Sequence, residues 1–223
     1  LNRSRSSSAL NRAGLKLAPR RTPEEKDEAK YIEYKDLLEP LWEEWLALGR
    51  EPIASEVKNL NALKNGFGSL ARALRFLSNQ KDGSLLQVSQ EAKRDDLLVF
   101  LALELFKQRT AFREMPASFQ RDIKVFFGRI TEARNAAHDL LFQISNDEEI
   151  NKYCEQAASE GLGCLWPKKS LQLHTSLVER LPPLLRIYVG CATMLFGDVT
   201  SADLVKICLL YTSPSPRDGL LSR

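Results

Sequence analysis

The chain has 223 residues, enough for one large domain or two small ones, and its 43% hydrophobic and 27% charged residues exclude disorder along the whole length. A formal net charge of +3 is too mild to mark a nucleic-acid binder, so only the placement of the charges can carry that argument. No apolar run approaches the ~20 residues of a membrane helix, and no membrane partner is expected.

Leu1 to Arg21 holds six basic residues (Arg3, Arg5, Arg12, Lys16, Arg20 and Arg21), serines and no acid. Such a segment buries too little apolar surface to offset its ordering entropy, so it reads as a flexible arm, either a solvated tether or a strand of phosphate contacts. Thr22 then stands as a helix N-cap, with Pro23 at the first helical position and Glu24 and Glu25 in the first turn. Tyr34, Leu37, Leu38, Leu41, Trp42 and Trp45 recur at spacings of three and four and make one apolar face. Pro40 is expected to divide or kink this helix, and Gly49 to end it.

After "LGREP", Ile53, Val57 and Leu60 fit a short helix, and Ser69 fits the cap of another that turns Leu70, Ala73, Leu74 and Leu77 inward. With the end of the preceding helix these make a three-helix unit of helix-turn-helix type within residues 22–80. Residues 90–207 read as a second helical domain. Leu97 to Phe106 is dense enough in apolar residues for a nearly buried helix. Phe119, Ile123, Phe126, Phe127, Ile130, Ala133, Ala137, Leu140 and Leu141 continue the helical period, with Gly128 as a break. Asn146 or Asp147 caps a further helix that Gly161 closes. A loop around Pro167 precedes a helix from Pro182 to Phe196, and "ADLVKI" is a short edge strand or helix. No internal repeat is read, and the predicted fold is mainly α.

Cys154, Cys164, Cys191 and Cys208 are too far apart for a Cys-x-x-Cys pair and fit free, mostly buried thiols of a cytoplasmic protein. A nucleotide-binding fold needs a glycine-rich turn between strand and helix, whereas Gly66 and Gly68 follow no apolar strand. His138 lacks a carboxylate, cysteine or second histidine at ligand spacing and reads as a partly buried structural residue, and His174 stands in a loop. Asp95 with Asp96, and Glu148 with Glu149, fall at helix starts, where the helix dipole explains them. No catalytic, metal-binding or cofactor-binding residue is therefore assigned. Arg50, Lys58, Lys64, Arg72 and Arg75, with Asn59, Asn61 and Asn65 among them, are the nucleic-acid-binding candidates; a solvated charged face explains the same residues.

Taken in order, "LGREP…FGSLARAL", "DDLLVFLALELFKQRTAFREMPASFQRDIKVFFG", "LPPLLRIYVGCATMLFGDV" and "ADLVKI" resemble the C-terminal half of the methyltransferases encoded beside DNA phosphorothioation genes, from about Leu37 to Ile207. The resemblance implies a preceding domain that holds S-adenosylmethionine, with this region as its helical, DNA-contacting, non-catalytic companion. It also implies that domain and the phosphorothioation proteins as partners. The pair Gly49-Arg50-x-Pro52 and Phe67-Gly68-Ser69 is similar to small helix-turn-helix repeats that accompany some homing endonucleases. Two other readings stand beside this one: a scaffold module of the DNA-modification system, and an independent helix-turn-helix regulator binding as a dimer. After Ile207 the family pattern stops. "CLLYTSPSPRDGLLSR", Cys208 to Arg223, resembles a translated sequencing adapter, expected to be disordered and to leave the 202–207 strand without partners. With no methionine or signal peptide at Leu1, a fragment cut at both ends is expected.

Overall fold

The computed structural model describes residues 22–107, 115–166, 170–197 and 202–208. The basic arm, the loop at Pro167 and residues 209–223 of the tail lie outside them. The chain divides into two compact units, Leu1–Leu86 and Gln87–Arg223.

The first unit opens with α1 (Pro23–Glu33), started by a reciprocal cap. Thr22 Oγ1 accepts from the Glu25 N–H at 3.2 Å, and the Glu25 carboxylate accepts from the Thr22 N–H at 2.9 Å. The break before α2 (Lys35–Leu48) falls at Tyr34, while Pro40 sits inside α2. At the break the Tyr34 ring lies edge-on to Phe67 and so close over Gly66 that a methyl there would run into it. Gly49 (φ 61°) ends α2 in the left-handed conformation that glycine tolerates.

The helix expected from Ile53 to Leu60 does not form. Residues 54–59 run through turns, and α3 begins at Leu60 and ends at Phe67. Arg50 braces the turn that stands there instead: its guanidinium forks onto Glu56 with two contacts of 2.9 Å, and Glu56 also accepts the Ile53 N–H at 3.0 Å. Ser69 caps α4 (Leu70–Gln80) by accepting the Arg72 N–H at 3.2 Å. Leu38, Leu41, Trp42 and Trp45 from α2 meet Leu63 and Phe67 from α3 and Ala73, Leu74 and Leu77 from α4 in one core.

In the second unit, α5 (Gly83–Phe106, whose first turn, to Leu86, belongs to the first unit) turns Leu97, Leu98, Leu101 and Ala102 against Ile123 and Phe127 of α6 (Ala117–Phe127) and Ala133 and Ala137 of α7 (Ile130–Gln143). The helix α8 (Asp147–Ser159) is capped by Asn146, whose side chain accepts from the Glu148 and Glu149 N–H groups. It closes with Leu162 N–H on the Ala157 carbonyl and Gly161 N–H on the Ala158 carbonyl. Helix α9 (Pro183–Phe196) is apolar on more than one side because it serves two clusters: Ile187 and Cys191 face α5–α7, while Leu184, Leu185 and Val189 face α8 and the sheet. Gly190 is small because a Cβ would stand 2.7 Å from the Leu103 side chain.

Three antiparallel strands, β1 (Cys164–Trp166), β2 (Ser170–His174) and β3 (Leu204–Cys208), form a sheet in the order β1-β2-β3. His174 is therefore the end of a strand, and it caps the following 3-10 turn (Thr175–Arg180) by accepting from the Ser176 N–H. The 202–207 segment has a partner after all: Leu171 lies opposite Ile207 and Leu173 opposite Val205, and Cys208 is the last residue of the strand. Leu171, Leu173 and Ile207 are buried on the face toward α8 and α9. The fold is thus mainly helical with one small sheet. Two of the four cysteines, Cys154 and Cys191, are buried, and Cys164 and Cys208 are exposed.

A repeat is present that the sequence reading did not find. The hairpins α3–α4 and α6–α7 share one joint, centred on Gly68 and Gly128. Each glycine is left-handed (φ 81° and 73°), and its N–H bonds back to the carbonyl of Lys64 or Lys124 at 2.7 and 3.1 Å. Each is followed by one extended residue, Ser69 or Arg129, before the next helix begins. The buried positions match as well: Leu63 with Ile123, Phe67 with Phe127, Ala73 with Ala133 and Leu77 with Ala137. Both joints are written Lys-x-x-Phe-Gly-x4-Ala.

Candidate nucleic-acid interface

From Val57 to Gln80 there is no acidic residue, and Lys58, Lys64, Arg72 and Arg75 are all exposed. The α3–α4 joint gathers three of them. Lys64 is in the last turn of α3. The Arg72 guanidinium reaches back over Gly68, 3.1 Å from where a Cβ would stand, and Arg75 is one turn further along the same face of α4. Asn61 and Asn65 lie exposed beside Lys64, at the three- and four-residue spacings that share a helix face. Among the described residues no carboxylate pairs with Lys64, Arg72 or Arg75. Their positive charge is therefore not cancelled by a neighbouring acid.

The remaining two candidates lie elsewhere. Arg50 is 4% exposed and held by Glu56, with a third contact to the Glu51 carbonyl at 3.2 Å, so its charge is used within the turn. It is corrected from a phosphate contact to a structural residue. Lys58 lines a groove of about 270 Å³ between α2 and the 57–63 segment, with Leu37, Pro40, Leu41, Glu43 and Glu44 on its walls. Two carboxylates there offset the lysine, so it stands apart from the Gly68 joint.

One ion pair braces α4 of the joint against α2. Lys81 at the end of α4 grips Glu39 of α2 with contacts of 3.0 and 2.8 Å, and Tyr31 of α1 donates to the same carboxylate. The Lys81 hydrogen bond first, and that of Tyr31 second, hold the Glu39 carboxyl below its ordinary range, and Glu39 holds Lys81 above its own. In the second unit Arg186 pairs with Asp96 at 2.7 Å, while burial raises the Asp95 carboxyl beside it.

Neither histidine joins a constellation. His138 is exposed rather than partly buried, its ring 4.5 Å from that of Phe142. Among the described residues there is no group of three His, Cys, Asp or Glu placed to hold a metal. The sheet is antiparallel throughout its described strands. No helix among them is long and apolar enough to cross a membrane. No family model, curated protein or solved structure matches the chain.

Proposed function

We propose that this region docks duplex DNA through the α3–α4 joint, as the binding part of a DNA-modification methyltransferase of the phosphorothioation-linked kind. The supporting observation is that Lys64, Arg72 and Arg75 are exposed on the two helices that meet at left-handed Gly68, within a stretch free of acids. The two arginines and the lysine meet phosphates, and Asn61 and Asn65 stand beside them with amides suited to base edges or phosphates. S-adenosylmethionine belongs to a domain that precedes this region, and the thiols stay free in a reducing cytoplasm. The test compares the full chain with its K64Q/R72Q/R75Q variant by fluorescence anisotropy on a short labelled duplex at low salt. Loss of most of the affinity in a variant of unchanged circular dichroism is expected; equal binding by both proteins would remove the proposal.

A second reading, a scaffold that packs on the methyltransferase domain, is favoured by the sheet's outer face. Trp166 (56% exposed) and Leu204 (66% exposed) lie there on β1 and β3. Since Trp42 and Trp45 are buried within the first unit, Trp166 is the useful reporter. Lower acrylamide quenching once the preceding domain is attached, without DNA, would support the scaffold.

A further inference from the structure

The second hairpin repeats the first down to its joint, yet its exposed side chains differ at the positions that matter for a phosphate. Lys124 keeps the place of Lys64. Arg129 adds a cation where the first joint has Ser69, and Glu132 puts a carboxylate where the first has Arg72. The Glu132 side chain lies over Gly128, its Oε2 3.6 Å from where a Cβ would stand, as the Arg72 guanidinium lies over Gly68. Lys124 and Arg129 are exposed and have no ion-pair partner among the described residues. Beside them a cleft of about 450 Å³ opens, walled by Gln120, Arg121, Lys124 and Gly128.

The buried half of this motif is explained by packing, since Ile123, Phe127, Ala133 and Ala137 fill a core as their counterparts do. Packing does not explain the exposed half. The lysine kept at the joint, with a second cation added beside it, offers an anionic polymer two positive charges at the place that corresponds to the first joint. We infer that the α6–α7 joint is a second nucleic-acid contact in its own right, made by Lys124 and Arg129 to phosphates and weakened by Glu132. The inference rests on the DNA-docking reading of the first joint. Because Glu132 repels a phosphate where Arg72 attracts one, the second contact is the weaker of the two.

The slope of log affinity against log salt counts phosphate contacts, at about 0.9 per contact on duplex DNA. The full chain, its K124Q/R129Q variant and its E132R variant are titrated with one labelled duplex from low to moderate salt, beside K64Q/R72Q/R75Q. The second contact predicts a slope shallower by about 2 in K124Q/R129Q and steeper by about 1 in E132R. If the first-joint variant loses slope while K124Q/R129Q and E132R keep that of the parent chain, the second contact is wrong and the first stands. If the parent chain shows no salt-dependent binding, both fall. All these side chains are exposed, so unchanged circular dichroism in each variant is the expected control.

Discussion

Arg50 separates a structural cation from a binding one. Its side chain is 3% exposed and that of its partner Glu56 is 18% exposed, so removing it strands a carboxylate in a poorly hydrated turn. Breaking such a pair costs about 3–5 kcal/mol. Arg50→Ala is thus expected to lower the urea midpoint sharply, while the protein that remains folded keeps its affinity for duplex DNA. Lys64, Arg72 and Arg75 should behave in the opposite way. The sequence could not make this distinction, because Arg50 has the same neighbours in the chain as a phosphate contact would; only the fork onto Glu56 reveals its use. The thiols divide by the same physics of burial. Desolvation pushes the Cys154 thiol up to about 11 and raises Cys191, so both stay protonated at pH 8 and are shielded, whereas Cys164 and Cys208 are exposed. A thiol-reactive dye at pH 8 is expected to label Cys164 and Cys208 in the native protein, and all four thiols only after denaturation.

At the scale of elements, caps and turn glycines were the most readable features. Thr22, Ser69, Asn146, Gly49, Gly128 and Gly161 all act where their chemistry places them, because each satisfies helix-end groups within a few residues. Ser69→Ala removes one such bond and is expected to cost about 1 kcal/mol of stability, measured by denaturant unfolding. Features set by distant residues were hidden. The packing of Tyr34 on Gly66 and Phe67 joins residues some thirty positions apart, and β1 is three residues long with no alternation to betray it. The repeated joint escaped because Leu74 is matched by Arg134 and Gly66 by Phe126, so only the placement of burial makes the copies plain. The Glu39–Lys81 bridge gives the first unit a pH signature. Since the folded state holds the Glu39 carboxyl below its ordinary value, the bridge contributes above the unfolded glutamate range and is lost as pH falls through the folded value. Glu39→Gln should therefore lower the thermal midpoint at pH 7 and converge on the parent chain well below pH ~4.

For the molecule as a whole, amphipathic periodicity announced the helical class, and the helices bury the residues it placed inward: Leu38, Leu41, Leu74 and Leu77 in the first unit, Ile123, Phe127, Ala133 and Ala137 in the second. The sheet was out of reach because β2 carries its alternation in two leucines, Leu171 and Leu173, and owes its existence to β3 some thirty residues away (174 to 204). Of the proposed interface, the residues were visible but not their placement: three of five cations are exposed on the helices that meet at Gly68, one is buried and one lines a groove with Glu43 and Glu44. A net charge of only +3 still leaves one acid-free hairpin whose lysine and arginines are exposed. The most direct measurement is the affinity of the full chain for a short duplex as salt is raised. Docking at Lys64, Arg72 and Arg75 predicts log affinity falling linearly on log salt with a slope of about −3 or steeper. Binding that is absent at low salt, or indifferent to salt throughout, would contradict it.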